Sequence, residues 1–369
     1  MTGIFNIVWG SNMLTKSLSP FKRMVRRGTL FSKEHLFFHI HDILFLIPDV
    51  FLRLQEPRSE KYLIAMNKDG LCNRLKCLIS CMRLAAKLSR TLELYWPKNH
   101  SCGCHFSDLF ENKILERRSE MSVRWLAGKT DKYLPVNTWR LLVLPSELSN
   151  HSAREHPSLY QSGEDIDFEF ERIPLSIRHD YLNYLDRLIP SRYVREQVET
   201  FSKLFDDRTI SLSIRSWPEE DMRRESLFRI ENVYAVIDRY NTANFFVSSD
   251  ADWILNNLIL KYGRRILFYP KRKAGSGRNS RTGMQDILID LLLLSKNKHL
   301  VASYFSTFSE LAWWFGGCKA KVEILESPAD IESFRKKFFE TEAGRRDAVI
   351  VTSKASTALR GQPNSAVMP

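Results

Sequence analysis

The chain lacks the fingerprints by which a nucleotide-binding fold is most often read. No GxGxxG follows a strand-like run, which excludes the nicotinamide-binding form of the βαβ unit. No GxxxxGK[ST] occurs, which excludes the P-loop way of holding phosphates. No apolar run reaches the ~20 residues that span a bilayer. Residues 1–19 have no basic start followed by an apolar core and a small-residue cleavage site, so no secretory leader is expected. Nucleic-acid-binding motifs are missing, and aromatic residues are not interleaved with the Lys/Arg cluster as in a stacking groove, so no nucleic-acid partner is expected. Cysteine is scarce, with six in 369 residues, too few for a disulfide framework in so large a chain. Cys77 and Cys81 lie one helical turn apart with no His or carboxylate at zinc spacing, and Cys102-Gly103-Cys104-His105 is a weaker pattern still. No metal site is expected; free cysteines are ordinarily small buried hydrophobes.

What the chain does have is core and positive charge. Hydrophobic residues make up 44%, ample for one large or two medium domains. The net charge of +12 points to an anionic partner: a phosphate-bearing substrate, nucleic acid or an acidic membrane surface. Residues His35–Leu54 are very apolar, with Lys22, Arg23, Arg26 and Arg27 upstream. Two readings stand there: an interfacial helix giving peripheral membrane contact through 22–54, or a helix packed on the protein's own core.

Two stretches carry the strand–helix alternation of a parallel α/β sheet. In the first, Lys61–Met66 is a predicted strand. Helical period follows through Leu71, Leu75, Leu78, Ile79, Met82, Ala85 and Ala86, and Thr91–Trp96 is the next strand. The charges Arg74, Lys76, Arg83 and Lys87 fall mostly off that apolar stripe. The middle, from about Pro97 to Leu204, is rich in proline and is read as mixed helices and loops. In the second stretch, strands are predicted over 209–214, 244–248, 265–268, 299–302 and 321–325. Helices are predicted over 225–240, 252–262, 283–295, 306–316 and 329–341. The expected divisions are an apolar and basic extension over 1–55, one Rossmann-like domain over 56–205, a second over 206–343 and a loose tail over 344–369.

Five constellations sit where such sheets bind ligands, at the carboxyl ends of strands. Ser306-Thr307-Phe308-Ser309 joins a strand to a helix, and the free N–H groups of a helix start suit an anion; the alternative is an ordinary Ser/Thr cap. Arg215, beyond Ser213-Ile214, carries a guanidinium that forks onto phosphate. Asp250, ending Ser248-Ser249-Asp250, could accept from a ribose or base edge, or cap the next helix. The loop over 269–282 is basic, and the helix after it holds Asp286 and Asp290 among leucines and isoleucines, where a carboxylate needs hydrogen bonds. Gly70-Leu71-Cys72-Asn73-Arg74 forms a strand-to-helix turn in which Gly70 would permit close approach and Asn73 and Arg74 would face the cleft. Asp165-Ile166-Asp167 and Asp250-Ala251-Asp252 match the Asp-x-Asp spacing of metal-held nucleotide diphosphates, but three-residue patterns recur by chance and Asp252 is better read as a helix start.

Four segments, in order, resemble the GT-B fucosyltransferase superfamily of bacterial nodulation fucosyltransferases, α1,6-fucosyltransferases and protein O-fucosyltransferases. They are Gly70–Leu75, Ser213-Ile214-Arg215, Phe246–Asp250 and Gln285–Ala312. The resemblance implies two Rossmann-like domains facing a cleft. It also implies a metal-independent, inverting transfer from a nucleotide-diphosphate sugar such as GDP-fucose to a glycan hydroxyl, with no further cofactor. Arg215 matches the family's diphosphate-holding arginine. Asp290, Ser306 and Thr307 match donor positions, Arg278 lies where a donor-binding arginine often precedes the acidic helix, and Asn73 matches the polar residue of the glycine loop. Ser213 stands in place of the family's histidine, and no acid follows Arg215 at the usual close spacing; Glu219 is the nearest candidate base. A glycan- or nucleic-acid-binding protein without turnover on the same fold is the alternative. A cytoplasmic enzyme, at most peripheral to the inner membrane face, is the expected setting.

Overall fold

The computed structural model describes residues 60–117, 119–129, 132–138, 141, 175–272 and 277–340. The segment 22–54, the Asp165-Ile166-Asp167 pattern and the tail over 344–369 lie outside these residues. Among the described residues, no helix is long and apolar enough to cross a membrane.

The first sheet is built around Tyr62–Ala65 (β1), buried along its whole length. Leu71–Lys87 (α1) crosses from it to Thr91–Tyr95 (β2). Leu115–Arg117 (β3), the helix Glu120–Lys129 (α2) and Tyr133–Val136 (β4) follow. All pairings are parallel and the strand order is β3-β2-β1-β4. The two outer strands correct the expectation of helices and loops alone in the middle of the chain. β3 is three residues long, too short for a periodic signal. β4 contains Pro135, which argues against a central strand but suits an edge strand that needs fewer ladder donors.

The helix α1 also differs from expectation, because Arg74, Lys76 and Arg83 are buried with the apolar stripe. Leu175–Leu185 (α3) and a helix of the second sheet cover the side that the sequence pattern leaves to solvent. Each buried charge therefore has a partner. Lys76 pairs with Glu310 at 2.5 Å and Arg83 pairs with Asp180, while Arg74 donates to backbone carbonyls.

After Arg192–Ser202 (α4) the second sheet begins. Its strands are Thr209–Ile214 (β5), Asn244–Ser249 (β6), Ile266–Leu267 (β7), His299–Ala302 (β8) and Lys321–Ile324 (β9). They are parallel in the order β7-β6-β5-β8-β9. Its helices are Asp221–Leu227 (α5), Ile230–Arg239 (α6), Asp252–Tyr262 (α7), Arg281–Leu294 (α8), Thr307–Phe315 (α9) and Pro328–Glu340 (α10). The single helix expected over 225–240 is two, because Phe228 and Arg229 are extended, with ψ 122° and 120°. Alternation sorts β6 between two cores: Phe245 and Val247 face α6 and α7, while Phe246 faces the other way.

The molecule is thus α/β, with two parallel Rossmann-like sheets, as the sequence predicts. One hydrophobic core runs from Leu75 and Leu78 of α1 to Trp313 and Trp314 of α9 and joins the two. In the second sheet, chain order runs outward from β5 to β7 and then resumes on the other side at β8. That reversal places a switch point between β5 and β8, where such sheets open a crevice beyond the strand ends.

Candidate active site

Arg215 and Ser303 are the first residues beyond the two strands flanking the switch point. Ser303 Oγ accepts from Arg215 N at 2.9 Å and donates to Ser213 O at 3.1 Å, tying the strand ends together. Asp250, beyond β6, accepts from Arg215 Nη1 at 2.5 Å, and from Ser216 N and Oγ at 2.9 and 2.7 Å. Arg215 also lies over the Trp217 ring at 4.8 Å. Burial pushes the pKa of Arg215 down and Asp250 works against it, so the guanidinium stays charged in a partly dry setting. Asp250 is therefore an anchor for Arg215 rather than a free acceptor. It is not the cap of α7 either, because Ala251 occupies that position.

The helix start at α9 keeps the expected cap: Ser306 Oγ accepts from Ser309 N at 3.4 Å. Ser309 Oγ in turn donates to Ser213 Oγ at 2.9 Å. Ser213, buried at the end of β5, thus straps α9 to that strand. Thr307 and Phe308 form the first turn, whose leading N–H groups have no intrahelical acceptor. The Phe308 ring packs on the main core.

On the facing side, Gly70 precedes α1 with φ −64° and ψ 165°, a conformation open to any residue, and a side chain there would meet nothing within 4 Å. The backbone there does not require glycine, and what the residue leaves is open space beside the strand-to-helix turn. Asn73 Oδ1 is shielded from solvent and has no hydrogen-bond partner. Arg74 does not face the cleft. Its guanidinium donates to Asp69 O at 2.6 Å, Pro97 O at 2.7 Å, Lys68 O at 2.8 Å and Asn99 Oδ1 at 3.1 Å, so it clamps the turn from behind. Cys72, in the same helical turn, is pushed up to about 12 by burial and feels the charges of Arg278, Lys76, Glu310 and Arg215.

The acidic helix splits its two carboxylates between roles. Asp286 is consumed by Arg272, accepting from N, Nε and Nη2 at 2.9, 2.9 and 2.7 Å, and so anchors the basic loop rather than lining the site. Asp290 Oδ2 accepts from Ser248 Oγ at 3.0 Å and pairs with Lys271 Nζ at 3.1 Å. Its Oδ1 is buried with no partner. Burial raises the pKa of Asp290 while Lys271 holds it down. Arg278 is exposed, and its carbonyl accepts from Gly103 N at 2.7 Å, so the first sheet's loop holds the basic loop in place. Glu219 is exposed on the turn after Pro218.

The structure thus links Arg215, Asp250, Ser213 and Ser306 through hydrogen bonds, with Thr307 opening the same helix; Gly70 and Asn73 belong to the first sheet's α1, Arg278 to the loop tied to the first sheet at Gly103, and Asp290 to α8. It leaves Arg74 and Asp286 in supporting positions. Sequence reasoning missed Ser303, Arg223 and Glu326. Glu326 is buried, accepts from Tyr304 N at 2.6 Å through Oε2 and is pushed up to about 8 by burial. Only its place just beyond a predicted strand could have drawn attention to it. Among the described residues, no group of three or more His, Cys, Asp or Glu could hold a metal ion, and the six cysteines are free thiols.

No known family profile and no curated protein sequence matches the chain. Its structure is similar to that of NodZ α-1,6-fucosyltransferase soaked with GDP-fucose, at 14% identity over 70% of this chain and 93% of the other, with TM-score 0.45. It is similar to a variant of Arabidopsis thaliana FUT1 in complex with GDP, at 16% identity over 86% and 80%, with TM-score 0.49. It is also similar to POFUT1 in complex with GDP-fucose, at 12% identity over 73% and 99%, with TM-score 0.43.

Proposed function

We propose that the chain is an inverting glycosyltransferase that moves a sugar from a nucleoside-diphosphate donor, GDP-fucose or a close analogue, to a hydroxyl of a glycan. The observation that carries the reading is the doubly anchored Arg215 at the switch point, beside the start of α9. A guanidinium held at both its backbone and its head loses little freedom when it grips a phosphate. The Asp290 oxygen without a partner supplies the second half of a nucleotide site. With Oδ2 held by Ser248 and Lys271, the free Oδ1 is left to accept from an N–H donor on a base edge, such as those guanine presents. The order of the four motifs agrees with both.

In the reaction, the acceptor oxygen attacks the anomeric carbon as the bond from that carbon to the phosphate oxygen breaks, and the nucleoside diphosphate leaves. Negative charge grows on the leaving phosphates, and fixed positive groups stabilise it most at the transition state. Arg215, Arg278 and the first N–H groups of α9 serve this role, so fixed protein charge takes the place of a metal ion. Glu219 takes the acceptor's proton, and residues 56–205 form the acceptor side. Binding without turnover is the competing reading, favoured by Ser213, which is spent on a strap where the family keeps a histidine.

The test is thermal stabilisation by GDP, UDP and their sugars, followed by release of GDP from GDP-fucose with a glycan acceptor. Selective stabilisation by GDP and GDP-fucose with acceptor-dependent release supports transfer; stabilisation without release supports the binding reading. Arg215→Ala is expected to abolish turnover with an unchanged circular dichroism spectrum. Near-normal turnover in that variant would remove the basis of the assignment.

A further inference from the structure

Two bulky residues hold backbone conformations that L-residues seldom adopt: Trp217 at φ 53° and Phe305 at φ 58°. Such positions cost on the order of 1–3 kcal/mol each and gather at functional sites. They are matched in place, each three residues beyond one of the strands that flank the switch point, β5 ending at Ile214 and β8 at Ala302. Both rings are buried in one cluster with Leu227, Tyr304 and Phe334. What they share is Arg223, from α5, whose guanidinium carbon lies 5.0 Å from the centre of each ring. A cation–π contact contributes roughly 0.5–1 kcal/mol when exposed and about 2 kcal/mol or more when desolvated. Two such contacts on buried rings are of the same order as the strain of the two residues, so strained backbone and ring contacts together hold this guanidinium at a fixed place.

The charge balance says what it is held for. Arg215 offers one positive charge, itself paired with Asp250 at 2.5 Å, against the two or three negative charges of a diphosphate, which leaves room for a second guanidinium. After burial, the groups acting most on Arg215 are Asp250, Arg278, Glu220 and Arg223 in that order, which puts Arg223 within its field. The Arg223 side chain is 22% exposed and pairs with Glu220 at 3.1 Å.

We infer that Arg223 is a second anion-binding residue of this site, presented by Trp217 and Phe305 to a phosphate of the diphosphate that Arg215 faces. The identity of the ligand rests on the donor reading above; the anion site does not. Isothermal titration of the wild type, Arg223→Ala, Arg223→Gln and Arg223→Lys with GDP, guanosine and inorganic pyrophosphate tests it. Loss of the charged fork is expected to weaken GDP and pyrophosphate about tenfold or more in the Ala and Gln variants. Guanosine affinity should be unchanged, and the Lys variant should recover part of the loss. Arg223→Gln, with an unaltered melting temperature, keeps the readout valid if Arg223→Ala folds poorly. Wild-type affinity for GDP in Arg223→Gln would overturn the inference and leave the donor reading standing. Arg223-dependent binding of pyrophosphate with no gain from the guanosine moiety would do the reverse. A wild type that binds neither would overturn both.

Discussion

At the scale of single residues, chemistry here is decided by what lies behind each side chain rather than by its place in a motif. Arg215 was legible because a strand end fixes which way the next residue points. Arg74, four positions beyond a glycine, had the same promise, but a helix start can turn a long side chain to the cleft or back beneath the turn, and sequence spacing does not choose. Three carbonyls waiting behind the turn decide it. Glu326 had no motif at all, yet it sits beneath the Ser303-Tyr304 backbone that positions Arg215. Its folded pKa of about 8 lies above the ordinary glutamate value of about 4.3. The native state therefore binds the proton more tightly than the unfolded chain. The stability that this proton contributes is fully present below about pH 4.3 and is lost progressively as pH rises through about 8. Glu326→Gln mimics the protonated form, so chemical unfolding of both proteins from pH 5 to 9 should show the variant gaining on the wild type as pH rises. A stability difference that does not change with pH would show Glu326 to be ionised in the fold.

At the scale of elements, the strands over 209–214 and 299–302 and the helix over 252–262 were legible to the residue, because each is a compact apolar run bounded by turn chemistry. The middle of the chain was not, since β3 has no room for a period and β4 carries a proline. The glycines show the same limit. Gly70 and Gly103 look alike in sequence, but a Cβ on Gly103 would come within 2.0 Å of Asn279 C and 2.4 Å of Ser280 N, whereas one on Gly70 would touch nothing. Backbone atoms cannot step aside as a side chain can. Gly103→Ala is thus expected to cost about 1–3 kcal/mol and to displace the loop that carries Arg278. Gly70→Ala should change stability by less than about 1 kcal/mol while weakening GDP-fucose binding, if ligand fills the space the glycine leaves. Denaturant titration and calorimetric binding on the two variants separate the effects. Equal loss of stability in both would contradict the packing described, and unchanged donor binding in Gly70→Ala would remove α1 from the site.

At the scale of the whole molecule, two sheets can form one site only if their relation is fixed, and the residue pair most exposed to that demand is Lys76–Glu310. Lys76 comes from α1 of the first sheet and Glu310 from α9 of the second; they meet at 2.5 Å with 0% and 2% exposure. They stand 234 positions apart in the sequence, so no local pattern could have paired them. Taken alone, Lys76 looked like a solvated helix charge. Desolvating both ions is costly, and their attraction in a dry interior offsets that cost only while both are present. Removing one partner takes that attraction from a charge that stays in the core. Lys76→Met and Glu310→Leu should therefore each destabilise the protein by about 3–5 kcal/mol, while the double variant should recover most of that loss. A pair that merely decorated a stable interface would instead give two small losses that add. The same double variant, once stable, reports on function. Glu310 stands in the first turn of the helix whose start faces Arg215, so if the pair sets the angle between the sheets, folding returns in the double variant but donor affinity does not. Unfolding curves and GDP titration on the four proteins of that cycle decide whether the ion pair serves only the core or also holds the two halves of the site in register.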